Sequence, residues 1–151
     1  MAVRRLDSAT ARRQAPWIAA MPPWRGLGYR TAGLGAWLGR VAARGWAWGA
    51  IEGARVAGIV VIQPDVLLGD FVALLAVRPD AAGRGIGRRL MARAELRCFR
   101  RRRWLYVSSD GRNRAAAALY ARLGFSRVAR LPDLVRAGRV EILWRKGASR
   151  A

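Results

Sequence analysis

Histidine is absent from this chain of 151 residues, and cysteine and lysine occur once each. Without histidine, neither a histidine base nor a histidine-rich metal site can form. The one cysteine, Cys98, excludes an internal disulfide and leaves too few ligands for structural zinc, so we predict no metal site. Long apolar runs are also missing, because the longest ones, Ile59–Ile62 and Phe71–Val77, have the length of strands. A membrane span needs about 20 apolar residues, so we predict no membrane partner.

Acidic residues are scarce as well. Nine carboxylates stand against 29 basic side chains, which gives a formal net charge of +20. Lys146 is the only lysine, so arginine accounts for 29 − 1 = 28 of the basic residues. This use of arginine fits the codon bias of a GC-rich genome as well as selection for binding, so it does not favour a nucleic-acid partner. The positive field still speeds the capture of a polyanionic ligand.

The chain is long enough for one domain with a real core, and its apolar fraction of 53% argues against disorder. Two helices are predicted in the first 44 residues. The first has Ser8 as its N-cap and ends near Met21, and the second has Thr31 as its N-cap and ends at Arg44. The N-terminus lacks the apolar core of a signal peptide, so we predict a cytoplasmic location.

From Trp46 onward the pattern changes to strands, starting with a hairpin whose turn is Glu52-Gly53. A break is predicted at Pro64-Asp65. The strands that begin at Asp70 and Trp104 enclose a helix, and such a crossover normally joins parallel neighbours. We therefore predict that these two strands run parallel, side by side. The predicted strands are 46–51, 55–62, 70–77, 104–107, 125–131 and 140–145.

A glycine-rich loop joins the strand that ends at Val77 to a helix that begins near Gly85. Gly83, Gly85 and Gly87 have no Cβ, so a bulky anion can approach their backbone closely. The first N–H groups of a helix have no internal partner and carry a positive partial charge. Together these features predict a cradle for a pyrophosphate. The loop matches neither the dinucleotide-binding fingerprint nor the P-loop, which require other residues at these positions.

A second motif reads Asn-Arg-Ala-Ala-Ala-Ala-Leu-Tyr-Ala-Arg-Leu-Gly-Phe and runs from Asn113 to Phe125. Asn113 is a suitable N-cap, and Gly124 is the residue type expected just past a helix end. The pattern predicts a short, well-capped helix with Tyr120 on its apolar face.

Taken in order, the two motifs resemble motifs A and B of the GNAT superfamily of acyl-CoA-dependent N-acetyltransferases. Gly85 and Gly87 match the glycines of motif A, and the spacing from Asn113 to Phe125 matches motif B. The resemblance covers about residues 46–146, two-thirds of the chain.

The resemblance implies an α/β (α+β) fold: a single GNAT-type domain over 1–151, with a mixed, mostly antiparallel sheet, splayed central parallel strands and flanking helices. Residues 46–146 would form the acetyl-CoA-binding core, and residues 1–44 the helical segment on the acceptor side. Two positions depart from the family pattern. Ala82 stands where the family has Arg or Gln, and Ala73 where related enzymes often carry an acidic residue.

The resemblance also implies roles for individual residues. Backbone N–H groups of the glycine loop would bind the pyrophosphate of acetyl-CoA, with arginine side chains nearby. The end of the preceding strand would pair with the pantetheine amides, and Asn113 would bind the cofactor from the exit of the next strand. Tyr120 would be the general acid that protonates the departing thiolate. The implied cofactor-binding residues are Leu75, Ala76, Val77, Gly83, Arg84, Gly85, Ile86, Gly87, Arg88 and Asn113.

We predict a bacterial, cytoplasmic N-acetyltransferase that moves an acetyl group from acetyl-CoA to a primary amine of a small molecule or polypeptide. The general base stays open: Asp110 or Glu141 acting through water, or no dedicated base. The alternatives are a catalytically silent GNAT-like sensor that binds acyl-CoA and a basic nucleic-acid-associated module. A homodimer is compatible with the sequence.

Overall fold

The computed structural model describes residues 1–149 of the chain. Strands and helices occupy most of this part of the sequence. The strands are β1 (Ala2–Arg5), β2 (Ala47–Glu52), β3 (Arg55–Val66), β4 (Gly69–Val77), β5 (Trp104–Asp110), β6 (Ser126–Pro132) and β7 (Val140–Gly147). The α-helices are α1 (Ser8–Arg12), α2 (Ala15–Ala19), α3 (Thr31–Ala43), α4 (Ile86–Cys98) and α5 (Arg114–Arg122). Within residues 1–149, no helix is long and apolar enough to cross a membrane.

The strands form one sheet in the order β1-β2-β3-β4-β5-β7-β6. The pairs β1–β2, β2–β3, β5–β7 and β6–β7 are antiparallel, whereas β4 and β5 are parallel. The parallel register runs from Asp70 opposite Leu105 to Val72 opposite Val107. These pairings confirm the mixed, mostly antiparallel sheet and the parallel central strands. The separation of the two strands beyond this register stays a prediction.

The chain divides into two compact units. The first unit comprises Met1–Ile62 and Leu74–Arg93, and the second comprises Gln63–Ala73 and the chain from Ala94 onward. The single domain expected over 1–151 therefore stays a prediction.

In the first unit, α4 packs directly on β3 because a glycine removes the side chain that would separate them. A Cβ at Gly58 would lie 2.8 Å from Cγ2 of Ile86 and 3.1 Å from the carbonyl oxygen of Ala76. Ile86 and Leu90 of α4 are fully buried. The close contact fixes the start of α4, and with it the end of the glycine loop, against the sheet.

The N-terminal helix prediction was wrong in two respects. The segment from Ser8 to Met21 is not one helix but the two short helices α1 and α2, because Pro16 lacks the N–H that would continue α1 and instead occupies the first turn of α2. The N-cap of α1 is Asp7, whose Oδ1 accepts the N–H of Thr10 at 2.7 Å. Ser8 instead donates its hydroxyl to the carbonyl of Gly39 at 3.0 Å.

The predicted N-cap of the next helix was also wrong. Arg30 precedes α3 with an extended backbone (φ −80°, ψ 136°) and makes no side-chain cap bond, whereas Thr31 is already the first helical residue. Strand β1 was not predicted at all. It pairs with β2, from Ala2 opposite Ile51 to Arg5 opposite Trp48.

In the second unit, the predicted break at Pro64-Asp65 was wrong, because β3 continues to Val66. The register with β2 ends at Val61, so Pro64 lies beyond the β2–β3 ladder. The turn falls instead at Leu67 and Leu68, both with positive φ. The hydroxyl of Tyr106 donates to the carbonyl of Leu67 at 3.1 Å and holds this turn in place.

Candidate functional site

The glycine loop between β4 and α4 depends on left-handed backbone conformations. After a short 3-10 helix, Pro79–Ala81, both Gly83 and Gly85 have φ +78°. A residue with a Cβ would pay about 1–2 kcal/mol for this conformation. A Cβ at either position would meet no atom within 4 Å. Glycine is therefore required here by the backbone, not by packing, and the space over the loop is open to a ligand.

The entrance of α4 supplies the hydrogen-bond donors that the cradle prediction needs. The N–H of Arg89 donates to the carbonyl of Gly85 at 3.1 Å, which closes the first turn of the helix. N–H groups that precede this bond, those of Ile86, Gly87 and Arg88, have no partner in the helical ladder and lie at its positive end. Loop shape and helix dipole together make the segment suited to bind an anion.

The arginine side chains beside the loop are not all free to meet a phosphate. Both carboxylate oxygens of Glu52 accept from Nη2 of Arg84, at 2.9 and 2.7 Å. Arg89 donates from Nη1 to the carbonyl of Met1 at 3.2 Å, and Arg88 is exposed. A phosphate must therefore compete with Glu52 for Arg84. The sequence pattern places Glu52 in a hairpin turn and does not indicate this contact.

The end of β4 shows the alternation of a strand with one buried face. Ala76 is buried, whereas Leu75 and Val77 are partly exposed. Arg78, the next residue, donates its N–H to the carbonyl of Ala57 at 2.9 Å. Leu75, Ala76 and Val77 all lie beyond the register of β4 with β5, which ends at Val72. Their pairing with pantetheine stays a prediction.

Helix α5 confirms the capping predictions. Oδ1 of Asn113 accepts the N–H of Ala116 at 3.0 Å, and Gly124 has φ +90° just past the helix end. Oδ1 serves the cap, and the NH₂ group of Asn113 can still donate to a cofactor.

Tyr120 is held in an aromatic cluster of the second unit. Its side chain is 5% exposed, and its ring centroid lies 5.9 Å from that of Phe125 and 6.0 Å from that of Trp144. Nε1 of Trp144 donates to Oγ of Ser109 at 3.0 Å. Burial, and to a smaller extent the charge of Glu141, raise the pKa of Tyr120 to about 12. The phenol therefore keeps its proton at any pH at which the protein would be assayed.

Two carboxylates face each other where β5 and β7 pair. Asp110 lies directly opposite Glu141 in the ladder. Asp110 pairs with Nη2 of Arg139 at 2.6 Å and accepts the N–H of Arg112 at 2.8 Å. Burial raises the pKa of Glu141, and so does the charge of Asp110, while a hydrogen bond from Ser108 and the charge of Arg139 oppose the rise. The contacts of Arg139 and Ser108 were not foreseen from the sequence.

Cys98 is a core residue of α4. The thiol is fully buried and donates to the carbonyl of Trp104 at 3.1 Å. Burial raises the pKa of Cys98 to about 12, so it carries almost no reactive thiolate.

A model of the GNAT acetyltransferase domain matches residues 41–127, more than half of the chain. No curated protein matches the sequence. Among solved structures, Ard1 from Thermoplasma volcanium is 17% identical with a TM-score of 0.83, covering 99% of this chain and 98% of that one. The ribosomal-protein-alanine N-acetyltransferase from Brucella melitensis is 19% identical with a TM-score of 0.77, covering 98% of this chain and 100% of that one. YncA from Salmonella typhimurium, solved with its cofactor acetyl-CoA, is 18% identical with a TM-score of 0.78, covering 100% of this chain and 95% of that one.

At these identities the structural likeness shows the fold, which is that of the GNAT acetyltransferases. Since the family model matches more than half of the chain and covers both the loop from Gly83 to Arg88 and the whole of the second motif, the chain belongs to the GNAT acetyltransferase family. The acetyl-CoA held by YncA agrees with the co-substrate that the resemblance to motifs A and B implied.

Proposed function

We propose that the protein is an N-acetyltransferase that transfers the acetyl group of acetyl-CoA to a primary amine of a small molecule or polypeptide. The observation that carries this proposal is the glycine loop. Gly83 and Gly85 take a backbone conformation that other residues avoid, leave the space above them open, and lead directly into the positive end of α4. An anion-binding loop of this kind, in a chain of the GNAT family, favours acetyl-CoA as the donor.

Each part of the donor has proposed binding residues. The N–H groups from Gly83 to Arg88 bind the pyrophosphate, and the exposed guanidinium of Arg88 adds charge. The backbone from Leu75 to Val77 pairs with the pantetheine amides as an added strand would. One N–H of this segment is available to polarise the thioester carbonyl. Asn113 contributes its NH₂ group.

Tyr120 is the proposed proton donor to sulfur. The attack of the amine nitrogen on the thioester carbon forms a C–N bond, and the C–S bond then breaks with its electron pair on sulfur. The pKa of Tyr120, about 12, exceeds the pKa of a typical thiol, about 8.5, by about 3.5. Proton transfer from the phenol to a thiolate therefore costs about 5 kcal/mol. Complete transfer from the phenol alone is therefore uphill. Tyr120 acts mainly as a hydrogen-bond donor while the charge develops on sulfur.

The Gly85→Glu variant tests the loop. Its side chain would enter the open space and place a carboxylate where phosphate binds, so acetyl-CoA binding measured by calorimetry should be lost. Gly138→Glu is a matched control, because Gly138 has φ +79° and equally open surroundings but lies outside the loop. Both variants should lose about 1–2 kcal/mol of stability from the backbone strain.

Gly138→Glu should bind acetyl-CoA like the wild type. Unchanged affinity in Gly85→Glu would show that the donor does not bind at this loop. Loss of affinity in both variants would show that the effect comes from added charge or from unfolding.

A further inference from the structure

The turn between β3 and β4 exposes two adjacent leucines to solvent. Val66 ends β3 and Gly69 begins β4, so Leu67 and Leu68 form the whole turn. Leu67 is 63% exposed and Leu68 is 86% exposed, which makes Leu68 the most exposed large apolar residue within residues 1–149. Single exposed apolar side chains are common on protein surfaces, but here two of them lie together. We call this pair the leucine tip.

The same two residues also have an unfavourable backbone conformation. Leu67 has φ 49° and Leu68 has φ 62°, in the left-handed region where a Cβ lies too close to the backbone. A two-residue turn with positive φ at both positions normally carries Asn-Gly or Asp-Gly. Leucine is therefore unfavourable here both in its conformation and in its exposure to water. Such a combination indicates that the leucines serve a contact outside the free protein.

An arginine-rich segment lies beside the leucine tip. Residues 99–103 join α4 to β5, and the last four of them are arginines. We call these five residues the arginine segment. Arg102 forms an ion pair with Asp65, two residues before the tip. The hydroxyl of Tyr106, near the start of β5, donates to the carbonyl of Leu67 at 3.1 Å. These contacts hold the arginine segment and the tip together within the second unit.

The charge of this region is positive. Four arginines against Asp65 leave three positive charges. Arg100, Arg101 and Arg103 are exposed. Within residues 1–149, neither Arg100 nor Arg103 takes part in an ion pair. An apolar tip beside free positive charge is complementary to a surface that is negatively charged outside and apolar beneath.

We propose that the leucine tip and the arginine segment bind the surface of an anionic lipid membrane. The leucines enter the boundary between headgroups and acyl chains, and the exposed arginines contact lipid phosphates. The expected absence of a membrane partner was based on the lack of a spanning segment, and a surface contact needs none. This membrane contact does not depend on the proposed acetyl transfer.

The size and composition of the region favour a lipid surface over other occupants. A stable protein interface needs about 20–30 residues on each side, far more than the tip offers. A nucleic acid would contact the arginines but would gain little from leucines, because bases are recognised by stacking and hydrogen bonds. A second copy of this chain would carry the same net charge of +20 and would be repelled.

Both parts of the region should contribute measurably to the affinity. Full burial of one leucine side chain in hydrocarbon is worth about ten- to a hundredfold in affinity. An arginine near an anionic surface is worth about fivefold. Added sodium chloride should weaken the arginine contribution by screening and leave that of the leucines largely intact.

The Leu67→Asn/Leu68→Gly variant tests the tip, because it introduces the residues that this turn prefers. The wild type should cosediment with vesicles of phosphatidylglycerol and phosphatidylethanolamine, but not with vesicles of phosphatidylcholine alone. The variant should bind the anionic vesicles at least about tenfold more weakly. Its melting temperature should equal or exceed that of the wild type, since the backbone strain is relieved. Weaker binding by a protein that is no less stable cannot come from unfolding.

Leu134→Asn/Val135→Gly is the matched control for the tip. Leu134 and Val135 are a second adjacent apolar pair of the same unit, 59% and 46% exposed, and neither has a positive φ. This control should bind anionic vesicles like the wild type. An equal loss in the control would assign the binding to general apolar adsorption and overturn the proposal.

Arg100→Gln/Arg103→Gln tests the arginine segment. The control, Arg122→Gln/Arg130→Gln, removes the same charge from exposed positions elsewhere in the unit. At low salt the first variant should bind anionic vesicles about 10- to 30-fold more weakly, and the control much less so. Equal losses would show that only the net charge of the protein matters, which would overturn the role of the segment.

Two further results would overturn the membrane proposal. One is a wild type that does not bind anionic vesicles, or a Leu67→Asn/Leu68→Gly variant that binds them equally well. The other is a single-stranded oligonucleotide that displaces the vesicles and binds both proteins with the same affinity, which would assign the surface to nucleic acid. Acetyl-CoA binding by the leucine variant, measured by calorimetry, should equal that of the wild type.

Discussion

The Tyr120→Phe substitution tests whether Tyr120 has a catalytic role or only packs in the core. It removes only the hydroxyl and keeps the ring in contact with Phe125 and Trp144. Since the pKa of Tyr120 is about 12, complete proton loss to sulfur is opposed by about 5 kcal/mol. The hydroxyl then contributes mainly a hydrogen bond to developing charge, about 1.5–3 kcal/mol. We expect kcat to fall by about 10²-fold, at the low end of the usual range for a positioned proton donor.

Tyr106→Phe is the matched control for this prediction. Tyr106 is a second buried tyrosine of the same unit, and its hydroxyl donates to the carbonyl of Leu67. Its loss should cost about 1 kcal/mol of stability and leave turnover unchanged. The assay is CoA thiol release at saturating acetyl-CoA, with calorimetric melting of all three proteins. If Tyr120→Phe keeps full kcat, the phenol is only packed, and water is the proton source for sulfur.

Two further substitutions test contacts that the structure adds to the sequence. Glu52→Gln frees Arg84 for phosphate, so acetyl-CoA should bind up to about fivefold more tightly by calorimetry. This factor corresponds to the loss of a partly exposed ion pair worth up to about 1 kcal/mol. Weaker binding would show that Glu52 positions Arg84 for the ligand. Gly69→Ala places a Cβ 2.3 Å from the carbonyl oxygen of Trp104 and should cost at least about 1–3 kcal/mol in chemical denaturation. Gly33→Ala, in an open position of α3, should instead gain about 0.5–1 kcal/mol, and a shared sign for the two would refute the packing argument.

The parts of the site that the sequence predicted depend on residues that lie close together along the chain. Gly83 and Gly85 have positive φ because the chain turns sharply between a strand and a helix, and glycine is the residue that tolerates this. Asn113 caps α5 because its side chain reaches an N–H only three residues later. The parallel pairing of β4 and β5 followed from the single helix between them.

The parts that the sequence did not predict depend on residues far apart in the chain. Glu52 and Arg84 are 32 positions apart, and no sequence pattern near either residue indicates their contact. Strand β1 exists because β2 offers it a partner 43 or more residues away, which short-range patterns do not show. Pro64 lies inside β3 but beyond its register with β2, and that register depends on residues far from Pro64 in the chain.

Acetyl transfer itself is tested most directly by incubating the wild type with acetyl-CoA and two peptide acceptors, one with only an α-amine and one with only a lysine ε-amine. Acetylated peptide is then quantified by mass spectrometry and compared with the CoA thiol released. Gly85→Glu serves as the blank. The account predicts equal amounts of acetylated peptide and CoA, formed by the wild type and absent from the blank. Binding of acetyl-CoA without either product would make the protein a sensor, and CoA release without acetylated peptide would make it a hydrolase; either result would contradict the account.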